Sequence, residues 1–399
     1  LGVALEAIVG AEHVEHPVGE VLDGVAIRAV VRPGDAQQVA ACVRAAADAG
    51  ISLVPCGGRS KLAWGNPCSA SDVVLLDLSR LDQPCEIDAR EGIARLGAGV
   101  RVAELAERLR ALGKRARLPM LHAGATVGGC VAADPFDPAR THDGSLRQDL
   151  LGLEVVLANG ELTRCGGSVV KNVTGFDLVR LYCGSAGTLG VITQVILRLR
   201  PLHEAAQVRA RACENLEEAL LWVAQLQARG AAPDAALLEP HGAGFQLLWL
   251  LEGGRSDVEE RARRFAGDAV DGSSWSAALA RWAEVPPADQ VALRVAARPG
   301  DLPVMLGALL DCCGAEGVVS LAPLLGAIRV CGSPAGLPAL VERAQREGWM
   351  LFVDAAPLEV KRLCDVYGPA PDALPVLRAV KERFDPQRTL APGRFVARI

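Results

Sequence analysis

Apolar and polar positions change period along this chain, and the changes mark out its elements. From Ile27 the residues read as a strand, Arg32-Pro33-Gly34-Asp35 breaks it, and Val39, Val43 and Ala46 then recur at helical spacing up to Gly50. Asp35 stands where an N-cap is needed, so its carboxylate is expected to receive a backbone N–H of the first turn. Short apolar runs at Ile51 to Val54, Val73 to Leu78 and Ala94 to Ala98 read as strands. Val102, Leu105, Leu109 and Leu112 place one apolar face on a helix from Val102 to Leu112. Leu151 to Leu157, followed by Asn159-Gly160, reads as one arm of a hairpin, and Val191 to Leu199 as a closing strand.

Beyond Pro201 the pattern shifts to helix-and-hairpin units. Leu216 to Gln227 and Val258 to Phe265 read as helices, and Ala235 to Glu252 as two strands around Pro240-His241-Gly242. Gly300 to Gly314 and Leu337 to Gly348 read as later helices, with Ala327 to Cys331 between them as strand. That alternation predicts a separate α+β domain, and 399 residues are too many for one ordinary core. Trp222, Trp249, Trp275 and Trp282 all fall in this second region, as core residues or as anchors for a partner. The tail predicts a helix from Leu377 to Phe384, then Asp385-Pro386 and Pro392-Gly393-Arg394-Phe395.

Charge and cysteine usage narrow the function classes. The net charge is -5, with Lys and Arg spread along the chain and no basic block, which argues against nucleic acid as a partner. No apolar run reaches the roughly 18 residues of a membrane span, and the longest candidate, Val318 to Cys331, contains Arg329. The chain opens at Leu1 with no charged segment, apolar run and cleavage site in order, so no secretory signal is expected. Its 12 cysteines are scattered without a CxxC, which argues against an iron–sulfur cluster or structural zinc within the chain.

Glycines cluster at Pro55-Cys-Gly-Gly-Arg-Ser60 and again between Pro119 and Arg200. A strand feeding Gly57-Gly58 exposes consecutive backbone N–H groups, a concavity suited to an anion such as a pyrophosphate. No GxxxxGK[ST] is present, and Gly97-Ala-Gly99 lacks the third glycine of a dinucleotide fingerprint, so neither a P-loop nor a nicotinamide Rossmann domain is expected. Thr126-Val-Gly-Gly129, Gly144-Ser-Leu-Arg147, Gly166-Gly-Ser-Val-Val-Lys-Asn-Val-Thr-Gly-Phe-Asp177, Gly184-Ser-Ala-Gly-Thr-Leu-Gly-Val-Ile-Thr193 and the Asp385 to Phe395 tail follow in order.

This series resembles the vanillyl-alcohol oxidase and p-cresol methylhydroxylase superfamily, and within it the GlcE-type FAD-binding subunits of bacterial glycolate oxidase. The likeness covers residues 1–200 and the last 30 or so, and is weak between. It implies an α+β, two-subdomain FAD-binding fold of p-cresol methylhydroxylase type over residues 1–200, an α+β cap over 201–350 and a segment 351–399 that returns to the FAD domain. It implies that Pro55, Cys56, Gly57, Gly58, Arg59, Ser60 and Lys61 hold the diphosphate. Pro119, Gly124, Thr126, Gly128 and Gly129 would line the flavin, Ser145, Leu146 and Arg147 its ribityl and phosphate region, and Gly187, Gly190, Val191 and Ile192 the adenine end. Val191 and Ile192 read equally as plain strand core.

Three departures from the family pattern matter. Arg59 occupies the position of the histidine that carries FAD covalently in some relatives, so noncovalent FAD is expected; no histidine follows His241, so the catalytic HxGDGN-like motif is absent; and Ala391 precedes Pro392-Gly393 in place of the familiar asparagine. Oxidising a 2-hydroxy acid needs a base for the hydroxyl proton and a cation for the carboxylate. Arg294, inside the apolar run Val291 to Ala296, is a candidate for the carboxylate or an internal ion pair; Lys171 is a second candidate, or an anchor for a phosphate or carboxylate; His122 precedes the flavin loop. The resemblance implies a FAD-dependent oxidoreductase subunit that acts with a second flavoprotein subunit and an iron–sulfur subunit, cytoplasmic and reaching the inner membrane only through them. A stand-alone FAD-dependent 2-hydroxy acid or alcohol dehydrogenase and a flavin-free assembly subunit are the rival readings.

Overall fold

In the computed structural model, the described residues are 1–119, 122–167, 176–228, 232–264, 267–314 and 317–399. They form two compact units, one of Leu1–Pro135, Ser145–Leu202 and Ala370–Ile399, the other of Phe136–Gly144 and His203–Pro369.

Among the described residues, the first unit contains two five-stranded sheets and a two-stranded pair, Lys114–Arg115 with Arg200–Pro201. Strand Val25–Val31 runs parallel to Asp72–Asp77, which runs parallel to Ser52–Cys56 at the edge, and the helix Ala36–Asp48 makes the crossover. Asp35 caps that helix by accepting from the Gln38 amide at 2.8 Å, and the buried Val39, Val43 and Ala46 pack with Val31, Leu53, Val74 and Leu76. The second sheet is antiparallel, in the order Leu162–Gly166, Leu150–Val156, Val191–Arg198, Ile93–Gly97, Cys85–Asp88. Its first two strands are the expected hairpin, turned at Gly160 with φ 75° and the Glu161 amide donating to Asn159 Oδ1 at 2.9 Å. Helices Val102–Ala111, Val127–Ala133 and Leu178–Tyr182 cover it with Leu105, Leu109, Val127, Val131 and Tyr182.

The tail joins the edge of the parallel sheet. The Leu53 amide donates to Thr389 O and the Ala391 amide to Leu53 O, each at 2.7 Å, so Leu390 lies beside Leu53 in parallel. Pro55, two residues on, has no amide for a ladder, and an edge strand tolerates it.

The second unit is one eight-stranded antiparallel sheet. Its order is Asp268–Val270, Ala205–Cys213, Gly244–Gly253, Ala235–His241, Val318–Ala322, Ala327–Gly332, Val291–Ala296, Met350–Ala355. Helices Leu216–Ala228, Arg255–Arg264, Leu302–Cys313 and Leu337–Glu347 bury their apolar stripes on one face, where Trp249 is 1% exposed. The opposite face packs Trp275 and Trp282 of the helix Gly272–Trp282, so Trp249, Trp275 and Trp282 are core residues, as is Trp349. Trp222 is half-buried, with the Arg211 guanidinium 3.9 Å from its ring.

The expected division at residue 350 is displaced, because strand Met350–Ala355 pairs with Val291–Ala296 and holds the chain in the second unit up to Pro369. Residues 136–144 also belong there: Phe136 stacks on Trp282 at 5.7 Å. Among the described residues, no helix is long and apolar enough to cross a membrane. Trp249→Ala is expected to destabilise the second unit by about 3–5 kcal/mol through the cavity it leaves, read as a lowered urea midpoint.

Candidate functional site

A cleft with about 870 Å3 of empty space, open solvent included, lies in the first unit. Its floor is the loop leaving strand Ser52–Cys56. Pro55, Cys56, Gly57, Gly58, Arg59, Ser60 and Lys61 all line it, with Thr126, Gly128, Gly129, Gly187, Gly190 and Ile192 on the other walls.

The two glycine loops interlock. A Cβ at Gly58 would fall 1.5 Å from the Gly124 carbonyl oxygen, and one at Gly57 2.2 Å from Thr126 Oγ1. Only glycine permits this approach. Thr126 caps the helix Val127–Ala133 by accepting from the Gly129 amide at 3.3 Å, while the Gly124 oxygen also accepts from Arg101 at 3.0 Å. Arg59 adopts a left-handed conformation, φ 56°, at the bend of the loop. Among the described residues, the amides of Gly58, Arg59 and Ser60 meet no protein acceptor. Consecutive amides with no internal partner, beside a residue at positive φ, are the chemistry of an anion-binding nest.

The charges around the loop are fixed. Arg59 donates to Asp77 Oδ2 at 3.2 Å, and Arg32 reaches the same oxygen at 3.4 Å, so Arg59 is tethered to a carboxylate that is 5% exposed. Burial pushes the Cys56 thiol up to about 12, opposed by the nearby Arg59 and Arg32, so this cysteine is a neutral thiol near pH 7 and not a nucleophile.

Several expected cofactor residues lie outside the lining. Arg147 donates to Asp134 Oδ2 at 3.0 Å and to Cys183 O at 2.7 Å, Leu146 is core, and the Ser145 carbonyl accepts from Arg117 at 3.0 Å. These three act as a latch for the chain. Val191 is fully buried in the core of the parallel sheet, and Gly124 backs the loop through its carbonyl. The Pro119 carbonyl faces the Cys130 thiol at 3.9 Å.

Residues missed from sequence complete the cleft: Val54, Leu62, Trp64, Leu78, Ala98, Ala132, Ala133, Ala186 and Arg394. Arg394 is 5% exposed; it pairs with Asp23 at 3.2 Å and donates to the carbonyls of Leu62, at 2.6 Å, and Trp64. The Pro392-Gly393-Arg394-Phe395 motif had marked it, without a role.

The catalytic candidates separate. His122 is half-buried, with its carbonyl closing a turn onto the Ala125 amide, and it does not line the cleft. Lys171 lies outside the described residues. Arg294 belongs to the second unit, 8% exposed, paired with Asp354 at 3.2 Å and sandwiched between Phe352 and Phe136 at 4.4 and 4.9 Å. It stands directly opposite Arg329 in the sheet, and Arg329 reaches the same Asp354 at 3.7 Å.

Comparison with known proteins agrees with this geometry. Residues 27–166 match a family model described as FAD binding domain. The chain is 30% identical over 209 residues to glycolate oxidase subunit GlcD of Bacillus subtilis, covering 51% of this chain and 44% of that protein. It is 31% identical over 226 residues to glycolate oxidase subunit GlcE of Escherichia coli, covering 56% and 62%. The alignments thus span about half the length of these curated relatives. In structure, p-cresol methylhydroxylase with substrate bound superposes with a TM-score of 0.76 at 16% identity, covering 98% of this chain and 95% of that one. Residues 27–166 are therefore similar to an FAD binding domain, in a chain with the fold of p-cresol methylhydroxylase.

Proposed function

We propose that the chain is the FAD-carrying, GlcE-type subunit of a complex that oxidises a 2-hydroxy acid, glycolate to glyoxylate with D-lactate as a second substrate. A second flavoprotein subunit and an iron–sulfur subunit would complete the complex and take the electrons onward. The observation that carries the reading is the acceptor-free row of amides at Gly58, Arg59 and Ser60, set in a cleft lined by both glycine loops. That row fits a diphosphate, and Gly187 and Gly190 leave the wall beside it low.

When bound, FAD supplies the acceptor for the hydride leaving the substrate's α-carbon. The chain's own residues bind and orient. The Pro55 to Lys61 loop would hold the diphosphate through backbone N–H groups, with Arg394 fixing the Leu62 and Trp64 carbonyls behind it. Arg59, tethered to Asp77, stands where covalent attachment would need an imidazole, and the Cys56 thiol is not ionised, so attachment is noncovalent. Arg294, held by Asp354, is the proposed partner of the substrate carboxylate.

The visible spectrum of the purified chain, before and after acid precipitation, tests the reading. Yellow supernatant is expected, and a colourless protein that also fails to take up added FAD would overturn it. Bleaching by glycolate without air would show the chain to be catalytic alone; an unbleached flavin assigns substrate chemistry to the complex. Gly58→Ala is expected to abolish FAD retention, measured by absorbance at constant protein, because the new Cβ displaces Gly124. Cys56 should resist iodoacetamide at pH 8 in the folded protein and react once urea is added, as mass spectrometry of the labelled peptide would show. In the assembled enzyme Arg294→Met should raise KM for glycolate about tenfold or more, while kcat changes less, in steady-state assays.

A further inference from the structure

One buried cation of the first unit is explained by neither the cleft lining nor the sheet cores. Lys381, on the helix Leu374–Phe384, is 4% exposed, and its ammonium makes three hydrogen bonds. It donates to Asp385 Oδ2 at 2.6 Å, to Thr188 O at 2.8 Å and to Leu390 O at 2.9 Å. Asp385, fully buried, in turn accepts from the amides of Thr389 and Leu390 at 2.9 and 2.8 Å. An ammonium has three donors, and all three are used.

Both acceptor segments belong to the cleft. Thr188 sits in the turn whose neighbours Ala186, Gly187 and Gly190 line it. Leu390 lies beside Leu53, on the strand that runs into the Pro55 to Lys61 loop, and Arg394 follows four residues later. A Cβ at Gly187 would be 3.4 Å from Pro55, so these two walls touch where the lysine ties them from behind.

We propose that Lys381 is a cofactor-positioning residue: its ammonium, held by Asp385, fixes the Thr188 turn against the Leu390 strand and so sets the shape of the cleft that takes FAD. The proposal rests on that cleft being the FAD site. Asp385, Arg388 and Cys68 are the titratable groups around the lysine, and Asp72 and Arg398 border the same polar cavity. Burial lowers the Lys381 pKa from the ordinary 10.5, and the attraction of Asp385 opposes the shift. Between the lowered value and 10.5 the unfolded chain binds more protons than the native one, so this group makes the fold more stable as pH rises. Loss of the ammonium nevertheless removes the tie. FAD should therefore leave an intact fold on the alkaline side, and a merely structural lysine would not produce that separation.

FAD affinity, from quenching of flavin fluorescence on the reconstituted chain, and circular dichroism are to be followed together from pH 7 to 10. Lys381→Met is expected to weaken FAD binding about tenfold or more at pH 7. In the wild type, affinity should fall with pH while the circular dichroism is unchanged; in Lys381→Arg, which keeps its charge, the fall should vanish. Undiminished affinity in Lys381→Met, or the same alkaline fall in Lys381→Arg, would overturn the proposal. Should Lys381→Met not fold, the comparison of wild type with Lys381→Arg decides alone. A wild-type chain that binds no FAD at any pH would instead defeat the cleft assignment on which the proposal rests.

Discussion

The carbonyl oxygen of Gly124 lies where a side chain at position 58 would begin, and the cleft follows from that one approach. Because neither Gly57 nor Gly58 has a Cβ, the loop leaving the parallel sheet can lie directly on the loop that opens the helix Val127–Ala133 of the antiparallel sheet. The loop's conformation is then held by packing, and its next amides are left without internal acceptors. A side chain at either position would separate the loops before any ligand arrived.

The C-terminal segment secures the arrangement from the far side. Leu390 extends the parallel sheet past Leu53, Arg394 gathers the carbonyls of residues 62 and 64, and Lys381 with Asp385 fixes the turn at Thr188. Arg394 and Lys381 are buried charges that donate to backbone carbonyls distant in sequence, those of Leu62, Trp64 and Thr188. Such groups are costly to bury unpaired, so the segments they bind have little freedom to move independently.

The second unit obeys a different rule. Its sheet puts Leu293, Val330 and Leu321 on the helix-covered face, while Arg294, Arg329 and Ser320 alternate onto the other with Trp275 and Trp282 nearby. Period-2 alternation alone places two arginines directly opposite one another, an arrangement that needs Asp354 and the rings of Phe136 and Phe352 to be tolerable.

Local pattern determined much of this protein. The Asp35 cap, the helix Ala36–Asp48, the Asn159-Gly160 hairpin and the Gly57-Gly58 loop were legible because each depends on neighbours within a few residues. Strands Ala205–Cys213 and Met350–Ala355 went unread: Arg209 and Arg211 hide the alternation in the first, and in the second only pairing with Val291–Ala296 reveals a strand. The roles of Arg147, Val191 and Arg394 were likewise not local. A motif shows that an arginine or valine is present, but whether it faces a ligand, latches a loop or fills a core is set by segments far along the chain. The glycines could be read early because their requirement is steric and their own; the buried ion pair at Lys381 could not, because its meaning lies in Thr188 and Leu390, which only the tertiary structure brings to it.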